Sequence, residues 1–552
     1  GLGDVYKRQM QDKMCDVGAV SNTDTFIKRG AYNTETATSW SWGALKNVNY
    51  FIDGCNDPKY CTVEAETRDN YLGIARWFRA WFYYDKLTTY GEVPWFPNDI
   101  QSYQNDVMYK DRDSRDVIIR NLIADLDFAY EHIQATSSTG SATLTRWAAA
   151  ALKSRVCLFE AAYRRYHNLT GLEITPEELY REAAKAAKLV IDNSGCSLNT
   201  AAGKKGAYRD LFYSETPLTQ EVILAVCANE KSGIFGEQNW WFNARSYGLC
   251  WSLVRSFVHT YLKQDGTPFT AAADYAVKSF AEEMEGRDLR LEQTVRGRNF
   301  LWDGKTAVAD IKNLSLTGYQ VIKYTLDESK YDGGAKNINS IPLIRYAEVL
   351  LNYAEAQAEL GVITDSEWAL TVGALRKRAG ITGGTETLPT TVDSYLQRTF
   401  YPDVTSPVLL EIRRERAIEL VAEGMRFDDL RRWKCGSLME TLPWSGIHIP
   451  GLEQPVDVNG DGVNDYYFTE GEVASAPAAY KNIAVRVNQD GVGLYAEANP
   501  VSGYDLVYKT GAGDRYWYPD GRQYLYPIPA KVIRDYRNAG YTISQNPEWD
   551  NE

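Results

Sequence analysis

IRYAEVLLNYAEAQAELG (Ile344–Gly361), LRKRAGI (Leu375–Ile381) and ERAIELVAEGMRFDDLRRW (Glu415–Trp433) form the stretch that decides the fold. In the first run Ile344, Ala347, Leu351, Ala354 and Ala358 recur at steps of three and four. That spacing predicts an amphipathic helix whose small residues let a neighbouring helix approach closely. In the third run Glu415, Glu419 and Glu423 repeat every fourth residue, Gly424 interrupts, and Asp429 and Trp433 restart the spacing. Two short helices meeting at a glycine hinge are expected, as in helical-repeat scaffolds. The charged set Glu415, Arg416, Glu419, Glu423, Arg426, Asp429 and Arg432 reads as architectural. Pairs within a helix at these spacings are worth only a few tenths of a kcal/mol each, about 0.3–0.5.

Working outward, helix signals dominate to about residue 195. The run Tyr71–Tyr84 is apolar almost all round and broken by Arg76 and Arg79, which predicts a central buried helix. A charge there needs a partner, so Arg79 is either an ion-pair residue or a donor reaching a ligand face. Thr145–Tyr163 places Trp147, Ala151, Ser154, Leu158 and Ala161 along one stripe, and Thr175, Pro176 and Glu178 open the next helix with a cap. Residues 196–340 lose periodicity, with β-like runs at Glu221–Val226 and Tyr319–Leu326. Helices resume over 341–435, and 436–552 holds a long non-helical insert and a closing segment with a short helix near Ala530–Tyr536. No 34-residue repeat and no linker-like shift in composition is visible, so residues 10–552 read as one unit, mostly α with minor β. GLGDVYKRQ (Gly1–Gln9) reads as a non-native tail.

A chain of 552 residues with 44% hydrophobic content and a mean hydropathy of -0.41 has the composition of a globular body with a large core. A net charge of -13 and a pI near 5.1 argue against nucleic acid, whose phosphates need clustered Lys and Arg. There is no run of 18 apolar residues. The eight cysteines include no CxxC pair, and the four histidines have no zinc spacing. Cys55 and Cys61 could close a small loop in an oxidising compartment, while several others sit in apolar stretches as buried small hydrophobes.

The three C-terminal runs together resemble the core of the SusD/RagB family. WFRAWFYYDKLTTYGEVPWF (Trp77–Phe96) looks like that family's long N-terminal helix and the loop after it. Ser114–Ile133 and Thr145–Tyr163 look like its next helices. GRDLRLEQTV (Gly286–Val295) is similar to its Arg-Asp-Pro-Arg-Leu motif, with Leu289 where proline is common. Tyr524–Tyr536 and SQNPEW (Ser544–Trp549) resemble its closing segment. The resemblance implies a tetratricopeptide-like scaffold of helix pairs with long loop insertions. It also implies a non-catalytic outer-membrane lipoprotein that captures oligosaccharide or polysaccharide for a SusC-like TonB-dependent transporter. A lipid anchor would then lie upstream of residue 1. Peptide-binding members of the same family supply one alternative, and a helical glycoside hydrolase or lyase supplies another, since two carboxylates suffice for that chemistry.

Aromatic residues make up 13% of the chain. Sugar rings stack their C–H faces on aromatic rings and present hydroxyls to polar side chains, so aromatics beside Asn, Asp or Gln are the informative ones, against the alternative that each plugs the core. The candidates are Trp95 and Phe96 with Asn98 and Asp99, Trp240 and Trp241 beside Gln238, Asn239 and Asn243, and Trp302 beside Asn299 and Asp303, with Arg79 as a possible donor. DVNGDGVND (Asp457–Asp465) places Asp457, Asn459, Asp461 and Asp465 at loop positions one, three, five and nine, with the Val463 carbonyl at seven. This phasing suits a structural Ca2+ ion, although Phe468 stands where an EF-hand has glutamate, and an Asx-rich turn is the alternative. No nucleophile elbow, phosphate loop or metalloprotease helix is present.

Overall fold

A computed structural model describes residues 13–243, 249–509 and 514–550, so the Gly1–Gln9 tail lies outside the described residues. The first half is a succession of helices, α1 (Gly43–Asn56), α2 (Ala65–Tyr90), α3 (Arg115–His132), α4 (Arg146–Tyr166) and α5 (Pro176–Asn193). Their starts are written locally. Ser114 and Thr145 accept the backbone N–H of Val117 and Ala148, and Thr175 forms a capping box with Glu178 behind Pro176. Successive helices pack side by side, and α4 is the centre, with every residue from Ala148 to Arg164 buried between α3, α5 and a later helix. The single stripe expected for α4 is therefore a helix covered on all sides. The expected central helix, α2, instead keeps an open flank, with Tyr71 53% and Phe78 51% exposed.

In the second half β1 (Val222–Val226) pairs antiparallel with a later strand. A hairpin of β2 (Leu301–Trp302) and β3 (Lys305–Thr306) follows. The partner of β1 is β4 (Ile341–Arg345), which runs into α6 (Tyr346–Glu359). Ile344 thus belongs to the strand and not to the helix face expected for it. Tyr319–Leu326, expected as β-like, makes only isolated bridges, Gln320 to Ser252 and Val321 to Val295. All eight of its residues are buried, so no face of it alternates toward water. Helices α7 (Val372–Arg378), α8 (Pro407–Glu419) and α9 (Arg426–Arg432) follow. The α8–α9 hinge is as expected, with Ala422 at φ 61° and Gly424 at φ 72°. The insert folds around two three-stranded sheets, the antiparallel β6–β7–β5, made of β5 (Ser445–Ile449), β6 (Leu494–Ala498) and β7 (Tyr504–Tyr508), and a mixed one of Pro455–Val456, Tyr466–Thr469 and Ala484–Arg486, before α10 (Ala530–Asn538). The architecture is mostly α with minor β. Among the described residues no helix is long and apolar enough to cross a membrane.

The C-terminal charges pair differently from expectation. Glu419 is completely buried and is shared by Arg290, at 2.9 Å, Arg345, at 3.0 Å, and Arg378, each from a different segment. Glu415 takes Arg290 and Arg376 at 2.5 and 3.0 Å, and Glu423 takes Arg345 and Lys323 at 2.6 and 2.7 Å. Asp429 joins Arg416 and Arg432, and Arg426 reaches back to Asp16. Most of these are buried pairs between elements, not exposed pairs along one helix, and removing one partner of such a pair costs about 3–5 kcal/mol. Leu289, in the proline position of the Arg-Asp-x-Arg-Leu motif, holds φ -68° and donates its N–H to the Ala379 carbonyl, a bond that proline would lack. The closing segment returns to the first helices. Asn546 donates to the carbonyls of Tyr90 and Tyr526 and accepts from Arg112, and Gln523 donates to the Phe26 carbonyl.

Candidate ligand cleft

The loop after α2 is held by side chains before any ligand is considered. Arg79 makes a two-pronged pair with Asp125, both contacts at 2.7 Å, and its remaining nitrogen donates to the Pro97 carbonyl at 2.9 Å. The buried Asn49 amide donates to the carbonyls of Phe96 and Asn98. Tyr83 accepts the Phe96 N–H, Asp113 the Trp95 N–H, and Asp53 both the Asn98 side chain and the Asp99 N–H. Burial raises the Tyr83 hydroxyl far above its ordinary value, against the Phe96 N–H and Arg79, which pull it down, so it stays a neutral hydrogen-bonding group.

This loop, the segment leading into α1, and α10 enclose a cleft of about 850 Å3. One wall is aromatic, with Trp42 edge-on to Phe96 at 5.3 Å and to Trp40 at 5.3 Å. Tyr109 and Tyr536, 5.1 Å apart, also line it. Trp40 and Trp42 are half-buried, which leaves part of each ring available to a bound molecule. Asn49, Asn98 and Lys46 add polar groups. At the rim Arg534 pairs with Glu35 and Lys531 with Asp535. The Arg534 hydrogen bond keeps the Glu35 carboxyl below its usual range. The size lies within the range of about 300–1,000 Å3 common to small-molecule sites.

Of the residues expected from sequence, Phe96 and Asn98 line this cleft. Trp95 does not stand free. It is 7% exposed, lies 4.2 Å from Tyr83 and faces the Arg79 guanidinium at 5.2 Å. Arg79 is spent on Asp125 and the loop carbonyl, so its role is to position the loop. Phe96 is also mostly covered, and Asp99 contributes its backbone N–H to Asp53 and a carboxylate oxygen to Gln101. Trp241 is buried at 4% and Trp240 half-buried, both on a short helix Gln238–Asn243. The side chain of Asn243 lies outside the described residues. Asn239 is consumed internally, exchanging hydrogen bonds with Leu326 and Asn337, and Gln238 donates to Asn339. Trp302 is half-buried on the β2–β3 hairpin under the Arg296 guanidinium at 5.1 Å. Asp303 ties that hairpin to Asp327 and Ser329. The neighbours of Trp240 and Trp302, Asn239 and Asp303, are bonded to the loop 326–332, and neither tryptophan lines the cleft. Sequence reasoning missed Trp40, Trp42, Asn49, Tyr109 and Tyr536. The alternation Ser39-Trp40-Ser41-Trp42 just before a helix was the available signal.

The Asp457–Asp465 loop is a tight turn. Asp457 accepts the N–H groups of Gly460 and Gly462, Asp461 that of Val463, and Asp465 that of Val458. Gly460 and Gly462 take φ values of 76° and 87° that favour glycine. Burial, with Asp461 and Asp457 nearby, raises the Asp465 carboxyl. Among the described residues no three His, Cys, Asp or Glu side chains are grouped to hold a metal ion. Asn459 in turn accepts the Asp461 N–H, so Asp457, Asn459, Asp461 and Asp465 each accept an N–H of the turn itself in an Asx-rich arrangement.

The structure is a helical scaffold that projects irregular loops around an aromatic cleft, and the comparisons give its family. The profile of the SusD family matches residues 220–549, and the chain belongs to the SusD/RagB family. Among curated proteins none matches it. Similar solved structures include a SusD-like carbohydrate-binding protein from Bacteroides fragilis NCTC 9343. It is 19% identical with a TM-score of 0.67, over 95% of this chain and 91% of that one. A second SusD-like protein from the same strain is 20% identical with a TM-score of 0.64, over 99% and 95%. A third structure, described with xylogluco-oligosaccharide, is 18% identical with a TM-score of 0.51, over 78% and 80%. At these identities the likeness is one of fold.

Proposed function

We propose that this chain is the surface glycan-binding component of a polysaccharide-uptake system, capturing oligosaccharide for a TonB-dependent outer-membrane transporter without cleaving it. The observation that carries the reading is the cleft, where Trp40, Trp42 and Phe96 line an aromatic wall beside Asn98, on a loop already fixed by the buried Asn49 and Arg79. Aromatic faces stack on sugar rings and amides meet hydroxyls, and a fixed loop loses little freedom on binding. Family membership and the carbohydrate named for a similar structure support the same ligand class. Two features support binding without catalysis. The rim carboxylates Glu35 and Asp535 each face a cation, and Glu35 is held below its usual range where a glycosidase acid needs the opposite. Delivery to a transporter and anchoring by lipid rest on the family alone.

Calorimetry with xylogluco-oligosaccharides and a panel of other glycans tests the ligand. Trp42→Ala should weaken the bound glycan about tenfold while the melting temperature moves little, as for a half-exposed ring. Unchanged affinity in a folded Trp42→Ala protein would remove the cleft as the site, and new reducing ends in the glycan would make the protein an enzyme. Co-purification of a large barrel protein from outer membranes tests the transporter.

A further inference from the structure

The charges that line the cleft do not cancel. There are three cations, Lys46, Lys531 and Arg534, and two carboxylates, Glu35 and Asp535. Both carboxylates are taken, Glu35 by Arg534 and Asp535 by Lys531, each at 2.6 Å. Lys46 is left over. It is exposed, and among the described residues no carboxylate pairs with it, in a chain whose net charge is -13. Its place on the helix gives this extra charge a direction. Trp42 caps the start of α1 and its carbonyl accepts the Lys46 N–H at 3.1 Å, so Lys46 lies one turn further along the same face. Side chains so placed are neighbours, about 5–6 Å apart at Cβ. Both line the cleft. Lys46 also closes the first turn of α1, which holds no acidic side chain. The helix dipole favours an anion there, so a cation at this position does not serve the helix, and its field adds to that of the helix end. A local conflict of this kind is expected where a residue serves binding in place of folding.

We infer that the glycan taken by the cleft is acidic, a sugar bearing carboxylate or sulfate, with Trp42 stacked on its ring and Lys46 receiving its charge. The inference rests on the reading of the cleft as a glycan site and names the class of sugar that site selects. A ring stacked on Trp42 directs its edge substituents along the face of α1. The Lys46 ammonium, a point charge on a flexible four-carbon stem, reaches them from one turn away. The paired cations Arg534 and Lys531 are already engaged at the rim, so Lys46 is the group that separates an acidic ring from a neutral one of the same shape.

The test is calorimetry on the full chain with matched glycan pairs, oligogalacturonate against its methyl ester and chondroitin sulfate oligosaccharide against its desulfated form, with xylogluco-oligosaccharide as a neutral reference. In at least one pair the charged member should bind about fivefold tighter than its neutralised partner at low salt, as for one solvated charge pair, and the pair that shows it tells carboxylate from sulfate. The advantage should shrink at high salt, vanish in Lys46→Gln and persist in Lys46→Arg. Equal affinity within both pairs, or binding of xylogluco-oligosaccharide alone, would make Lys46 an ordinary solvated side chain and overturn the inference while the glycan site stands. Failure of every glycan, charged and neutral, to bind would remove the site itself and the inference with it. Lys531→Gln is the control, since its cation already has Asp535, and it should keep the preference. An equal loss there would assign the preference to the whole rim and refute the role given to Lys46.

Discussion

Glu419 has no exposed surface and is shared by Arg290, Arg345 and Arg378, whereas Glu35 and Asp535 at the cleft rim stand in water with one cation each. The aromatic residues run the other way, with Trp433 and Trp368 sealed in the C-terminal core and Trp40 and Trp42 half-open at the cleft. Exposed pairs like those at the rim contribute about 0–1 kcal/mol. Buried pairs do not exceed a good apolar core in net stability, but they tolerate no missing partner. The C-terminal region therefore uses charge to fix which segments meet. The N-terminal region leaves its rings partly uncommitted, and that is the property a binding surface needs.

The comparison can be broken most directly at Glu419. Glu419→Gln leaves three buried guanidinium groups short of charge and should lower unfolding free energy by about 5 kcal/mol in chemical denaturation. A loss comparable to that of Glu35→Gln would erase the distinction between the two regions. Next in size, Trp95→Ala should cost about 3–4 kcal/mol, since this loop tryptophan is packed on Tyr83. Weakened glycan binding with no loss of stability would return Trp95 to the ligand face.

Acid sharpens the contrast further. Burial alone would raise the Glu283 carboxyl, but His259, Arg255 and Tyr319 hold it at about 2 against an ordinary 4.5. A depressed carboxyl contributes stability above its unfolded value and loses it as pH falls through the folded one. Stability should thus drop by roughly 3 kcal/mol between pH 4.5 and 2 from this group. Glu283→Gln should flatten that segment of the urea-denaturation profile, and an unchanged slope would count against the assignment. The smallest effect belongs to Asp457–Asp465. A chelator should leave the melting temperature in place, because the turn is satisfied by its own N–H groups. A chelator-induced drop that Asp461→Ala abolishes would show Ca2+ bound at this loop.

Much of the helical framework was legible, because caps such as Thr175 with Glu178 and the Gly424 hinge are local chemistry. The charge pattern on α8 and α9 was visible as a pattern but not as a network. Glu419 finds Arg290 129 positions away, and no spacing rule reports that. The aromatic candidates divided between core and cleft for a related reason. Trp95 and Asn98 are near neighbours in one loop, yet Tyr83 draws the first inward while Asp53 holds the second at the cleft. Trp40 and Trp42 face the same cleft as Tyr536, nearly the whole chain away, and only the return of α10 to the first helices makes them one wall.

That return has a consequence in time. Synthesis runs from the amino terminus, and the 456 residues between Tyr90 and Asn546 take roughly 20–90 s to make at about 5–20 residues per second. Until then the Tyr90 carbonyl at the end of α2 lacks its Asn546 donor, and Arg112 lacks its acceptors in the closing segment. The nascent first helices can collapse but not finish. A polypeptide whose first described helices are completed by a segment 456 positions later finishes packing them only after that segment has been made.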